Sequence, residues 1–244
     1  MTTFRIDLAY DGTGFHGYAR QADQRTVQGE LERALEPHVG PVETSVAGRT
    51  DKGVHATGQV VSFETAVDLD VDRVRRSLNR RLGPEIAVAS LAVAPAGVHA
   101  RHSATGRAYT YLVVDGETPD PFLARTAWHV GRALDVGAMD HAAARLVGEH
   151  DFASFCRKAG ERSTMRLVRR AAWERARHDL VAFDIEASSF CHQMVRSIVA
   201  TCVRIGLGKQ PSDAMPGILA ARDRMATPGP APPHGLTLVR VDYG

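Results

Sequence analysis

The sequence predicts an α+β chain built from two tandem β-α-β-β-α-β units. Three observations carry this expectation. Period-2 and period-3.6 hydrophobic patterns alternate in the same order in both halves of the chain. Its 244 residues suffice for two domains of about 100–120 residues, each with its own core. No apolar run approaches the ~20 residues of a membrane span. The element order is the split-βαβ or ferredoxin-like one. Edge strands of two such domains can join into one antiparallel or mixed sheet, with a cleft between them. The expected domains are 1–98 and 99–244.

Phe4, Ile6, Leu8 and Tyr10 alternate with polar or small residues, as in a half-buried strand. A glycine-rich loop follows from Asp11 to Gln21, carrying Phe15, His16, Tyr18 and Arg20. Thr26 is placed to cap a helix whose apolar face is Val27, Leu31, Leu35 and Val39. Val42–Ala47 and Gln59–Glu64 read as the next two strands. Asp70 opens a second helix through Val71, Val74, Leu78 and Leu82, stopped by Gly83-Pro84. Ile86–Val93 reads as the fourth strand.

The second half begins with a strand at Ala108–Val114, Tyr109, Tyr111 and Val113 sharing one face. Met139–Val147 reads as a helix, and Arg166–Arg177 with Leu180–Ile185 as a hairpin around His178-Asp179. Cys191–Ile205 is an expected helix ended by Gly206, and Ser212–Arg222 a further helical segment. Leu236–Val241 closes the chain as a strand.

Hydrophobic content of 44% and charged content of 24% are those of an ordinary globular protein. The amino terminus enters a strand without an apolar leader, so the cytoplasm is expected and no membrane. Cys156, Cys191 and Cys202 form no C-x-x-C pair and are expected as packed thiols in a reducing compartment. On one helix, Cys191 and Cys202 would lie about 16 Å apart, too far to bridge. The net charge of +2 hides a skew: residues 1–98 carry 11 basic and 13 acidic side chains, residues 99–244 carry 19 and 15. Arg157–Arg177 holds eight basic residues against Glu161 and Glu174, which suggests a polyanionic partner.

The stretch Ala47–Gln59 concentrates chemistry. Gly48, Gly53 and Gly58 frame Arg49, Asp51 and His55 between two expected strands. Arg49 and Asp51 sit two apart, so in extended backbone they point the same way, and an Arg keeps a neighbouring carboxylate ionised. From the residues alone Asp51 is a nucleophile, a general base, a metal ligand or half of a structural ion pair. No second carboxylate lies near it in sequence, which leaves a glycosidase-type acid/base pair unsupported. His55, His99 and His102 are the candidate metal ligands, but a metal site needs more converging donors, so none is expected. Arg196 lies beside the apolar Val195, Ile198, Val199 and Cys202 and needs an acceptor; either a carboxylate such as Asp51 supplies it or the chain snorkels to solvent. Tyr109 is either a cross-strand aromatic or a platform for a base.

The motifs in order resemble those of the A-type tRNA pseudouridine synthases. They are Tyr10–Gly17, Thr26-Val27-Gln28, the Asp51 loop, His99-Ala100-Arg101, Arg107-Ala108-Tyr109-Thr110-Tyr111, Asp151–Phe155, Met194-Val195-Arg196 and Val241-Asp242-Tyr243. The resemblance covers nearly the whole chain. It implies two ferredoxin-like domains with a basic cleft, in a homodimer. The implied reaction isomerises uridine to pseudouridine at positions 38, 39 and 40 of the anticodon arm of tRNA, without cofactor or metal. Asp51 is then the catalytic nucleophile, Arg196 its ion-pair partner, and Tyr109 stacks on the uracil beside the C5 proton. Arg49, His55, Arg20, Arg101, Arg107 and Tyr109 are the expected RNA contacts. Lys52, His102, Gln193 and Ser197 depart from the family's usual residues and bear on RNA contacts. Three other readings compete: the same chemistry on another RNA, a non-catalytic RNA-binding module, and a metal-dependent hydrolase.

Overall fold

The computed structural model describes residues 1–157, 160 and 163–244. Lys158, Glu161 and Arg162 of the basic run lie outside the described residues. The chain folds as two compact units, 1–105 with 237–244 and 106–236. No helix among the described residues is long and apolar enough to cross a membrane.

In the first unit, strand β1 (Thr2–Tyr10) buries Phe4, Ile6, Leu8 and Tyr10, the alternation the sequence carries. It pairs antiparallel with β3 (His55–Thr65) on one side and β4 (Ile86–Val93) on the other. The second edge of β3 is shared. β2 (Ser45–Val46) pairs antiparallel with Val61 and Ser62, and β10 (Leu236–Asp242) runs parallel beside His55 and Ala56. Helix α1 (Val27–Val39) starts at Thr26, whose hydroxyl accepts the Gly29 N–H at 3.2 Å. Helix α2 (Val71–Leu82) starts at Asp70, which accepts the Arg73 N–H at 3.0 Å. Val27, Leu31, Leu35, Val74, Leu78 and Leu82 are buried, as a 3.6-residue period requires.

The second unit holds β5 (Gly106–Val114), β6 (Trp128–His129), β7 (Gly148–Asp151), β8 (Met165–Arg177) and β9 (Leu180–Ala187). Its sheet runs β5-β9-β8-β7, all antiparallel, with β6 parallel to β5. Helices α3 (Val136–Ala144), α4 (Met194–Gly206) and α5 (Met215–Ala221) complete it. α3 begins earlier than its apolar period indicates because Asp135 caps it, accepting the Ala138 N–H at 2.9 Å. α4 begins three residues later than expected because Gln193 is left-handed, at φ 65°.

One expectation needs correction. Cys156 and Cys191 are joined by a disulfide, Cα atoms 5.7 Å apart, so they are not separate packed thiols. Cys191 lies ahead of α4, and the Arg157 N–H to His192 carbonyl bond (2.9 Å) ties its segment to that of Cys156. Cys202 remains a free thiol, its pKa pushed up to about 12 by burial. The last strand, expected over Leu236–Val241, runs over Leu236–Asp242 and pairs with β3 in the first unit.

Candidate active site

The Asp51 segment is held by its neighbours' contacts. Gln59, fully buried on β3, brackets Gly48: its Nε2 donates to the Gly48 carbonyl at 2.7 Å and its Oε1 accepts the Gly48 N–H at 3.4 Å. The same Nε2 donates to the Tyr10 hydroxyl at 3.2 Å, which shares a 2.8 Å hydrogen bond with Thr50. Burial pushes the Tyr10 phenol up to about 12, against the pull of the Thr50 and Gln59 hydrogen bonds, so it stays a neutral hydroxyl. The Thr50 carbonyl accepts the Tyr18 N–H at 3.0 Å, and a turn closes from the Val54 N–H to the Asp51 carbonyl at 3.1 Å. Gly53 supplies the positive φ of that turn, at 79°. Asp51 is thereby fixed on both sides and half-exposed, with Arg49 exposed beside it. The network joins residues 40 to 49 positions apart, which no local pattern reveals. The one signal was an amide side chain on an apolar strand face.

Removing the amide tests this support. Gln59→Leu removes both of its bonds to Gly48 and one of the two to the Tyr10 hydroxyl, and is expected to cost about 2 kcal/mol. It would appear as a lower urea midpoint at unchanged slope. An unchanged midpoint would show the network to be incidental.

His55, expected as an RNA contact, lies at the start of β3. The ring is buried, and its Nδ1 accepts the Gly12 N–H at 3.0 Å, with an Asp11 carboxylate oxygen at 3.2 Å. It locks the loop after β1 to the start of β3. Lys52 turns toward His16, Nζ to Nε2 3.2 Å. Arg20 is exposed and lies 3.2 Å from Glu32, whose other carboxylate oxygen accepts the Thr44 N–H at 2.8 Å. Arg101 is exposed, next to Ala100, which is pinned by Ser62 (3.0 Å) and by the Tyr243 hydroxyl (2.8 Å).

The second unit carries Tyr109, Arg107 and Arg196. Tyr109 is mostly buried on β5 and meets Phe190 edge-on, centroids 5.1 Å apart at 88°. Phe190 was not among the sequence candidates. Arg107 donates to the Ser188 carbonyl at 3.1 Å. Arg196, in the first turn of α4, is half-buried and donates its Nε to the Ala231 carbonyl at 2.7 Å. The Ala231 N–H returns a bond to the Arg196 carbonyl at 3.0 Å.

The basic run on β8 is partly engaged in ion pairs. Arg175 makes paired bonds to Asp115 at 3.0 and 2.8 Å. Burial would raise the Asp115 carboxyl, but hydrogen bonds from Arg175 and the Leu134 amide outweigh it and hold the pKa below the usual range. Arg177 bonds Asp120 at 2.7 Å and Asp179 at 2.9 Å. Arg169 and Arg170 are exposed. Among the described residues, no group of three or more His, Cys, Asp or Glu could hold a metal ion.

A family profile described as tRNA pseudouridine synthase matches residues 8–103 and 142–244, taking in Asp51 and Arg196 but not Tyr109. A tRNA pseudouridine synthase A of Frankia casuarinae is 43% identical over 250 aligned residues, covering 100% of this chain and 90% of that protein. One of Halalkalibacterium halodurans is also 43% identical, covering 97% of this chain and 90% of its own. A solved Cbf5-Nop10-Gar1 complex overlaps 82% of this chain and 45% of its own at 12% identity and a TM-score of 0.37, too low to bear on the fold. With the profile spanning most of its length and identity above 40% end to end, the chain belongs to the tRNA pseudouridine synthase A family, isomerases that convert uridine to pseudouridine in tRNA.

Proposed function

We infer that Asp51 is the nucleophile of this chain's reaction, and that the uridines it isomerises are those at positions 38, 39 and 40 of the anticodon arm. The reading is carried by the full-length likeness to the relatives, with Asp51 inside the matched profile and its segment fixed by the Gln59–Tyr10–Thr50 network. In this reading the N1–C1′ bond of the uridine breaks, the uracil turns, and C5 joins C1′. The C5 proton leaves and N1 gains one, so atoms balance without an added reactant. The nucleotide must leave its stack first, which costs a few kcal/mol.

Arg196 pairs with Asp51 and aims it, and Tyr109, backed by Phe190, stacks on the extruded base near C5. Arg49, Arg20, Arg101 and Arg107 are RNA contacts; His55 acts from behind, through Gly12. We also propose that both units are ferredoxin-like with a joined sheet and a basic cleft, and that the protein works as a cytoplasmic homodimer. The strand order β4-β1-β3-β2 of the first unit supports the first of these. Because the C5–H bond must break, tRNA labelled with tritium at uridine C5 should release it on incubation with the protein. No release would contradict the reaction.

Arg169 and Arg170 are two exposed cations of β8 proposed to meet phosphate. Replacing both by Gln should weaken tRNA binding at low salt and reduce the slope of log affinity against log salt by about one for each phosphate no longer neutralised. An unchanged slope would remove β8 from the RNA track.

A further inference from the structure

We propose that Tyr111 is a positioning residue for the reaction, fixing the direction of the Arg196 guanidinium through the Pro232 carbonyl and the proline-rich segment 228–233. The inference rests on the reading of Arg196 as the partner of Asp51. Arg196 sits in the first turn of α4, where the helix dipole opposes a cation. Its orientation therefore depends on an acceptor outside the helix. One such acceptor is the Ala231 carbonyl, 2.7 Å from Nε. With Nε held there, a shift of Ala231 turns the plane of the guanidinium and moves the two Nη groups with it.

Ala231 is buried in a segment without regular structure, so something must hold it. Its neighbour Pro232 accepts the Tyr111 hydroxyl at 2.8 Å. Gly235 also approaches the Tyr111 ring so closely that a Cβ would come within 2.5 Å of Cζ. At its start, the Thr227 hydroxyl donates to the Ser154 carbonyl at 2.8 Å and Arg224 donates to the Pro228 carbonyl at 3.0 Å. Tyr111 itself is fully buried on β5, two residues from Tyr109, and so ties the segment to the rigid sheet. Its phenol is raised by burial, with the nearby Arg196 charge pulling the other way, and it stays a neutral donor.

Tyr111→Phe keeps the ring against Gly235 and removes the one hydrogen bond. Turnover on tRNA is measured for Tyr111→Phe, Arg196→Lys and the double variant, at a temperature where circular dichroism shows each folded. The expected result is a fall in kcat of about 10-fold or more for Tyr111→Phe, with KM for tRNA within about twofold. In the Arg196→Lys background the same change should cost little further, because its effect passes through the guanidinium. Unchanged kcat, a loss confined to KM, or a full additional loss in the double variant would overturn the proposal. If Arg196→Lys alone retains full turnover, the reading of Arg196 fails and the proposal falls with it. If Arg196→Lys is impaired and Tyr111→Phe is not, only the positioning role is lost.

Discussion

Asp51→Asn is expected to lower pseudouridine formation on the order of 10⁴-fold or more while leaving tRNA affinity within a few-fold. The substitution keeps the side chain's size and removes its charge. The contacts that hold the segment come from Thr50, Gly48 and the Asp51 backbone, so the loop should keep its shape. Loss of rate with retained binding is therefore a loss of chemistry. Nucleoside analysis by mass spectrometry reads the first and filter binding the second. Turnover near the wild-type rate would remove Asp51 from the reaction, and loss of both would point to a binding role.

Gly12→Ala should be the most damaging of the small substitutions near the site. A Cβ at Gly12 would collide with the Val54 carbonyl, a backbone atom that cannot swing aside. The Gly12 N–H also donates to His55, so relief of the clash breaks that bond. Overpacking of this kind costs about 3 kcal/mol, or ~6–12 °C in the melting of a 244-residue chain. Because Val54 closes the Asp51 turn, turnover should fall as well. Gly217→Ala is the control: it lies in α5 with no atom within 4 Å of the new methyl, and should leave melting unchanged or slightly higher. Equal melting of Gly12→Ala and wild type would contradict the close approach of the two loops.

The first unit was largely legible because its signals are local. Thr26 and Asp70 cap the helices they were expected to cap, and β4 runs over the residues its period indicates. β2 shrank to two residues and β3 grew toward His55, since strand ends follow partners rather than propensity. In the second unit, β6 and β7 are too short and polar to show a period. The parallel pairing of β10 with β3 joins residues about 180 apart, and the Cys156–Cys191 disulfide depends on where α4 begins. At the site, Asp51 stood out by its company of Arg and Gly. Phe190 and the Gln59–Tyr10–Thr50 network did not, because their partners are distant in sequence. The β8 charge run concealed the opposite problem: Arg175 and Arg177 are already paired with Asp115, Asp120 and Asp179.

The most direct test maps pseudouridine by position in a full-length tRNA transcript with uridines at 38, 39 and 40. Wild type and Asp51→Asn are compared in EDTA. The account predicts conversion at those positions by wild type alone. Conversion elsewhere would contradict the assigned target, and conversion by Asp51→Asn at a comparable rate would contradict the role of Asp51.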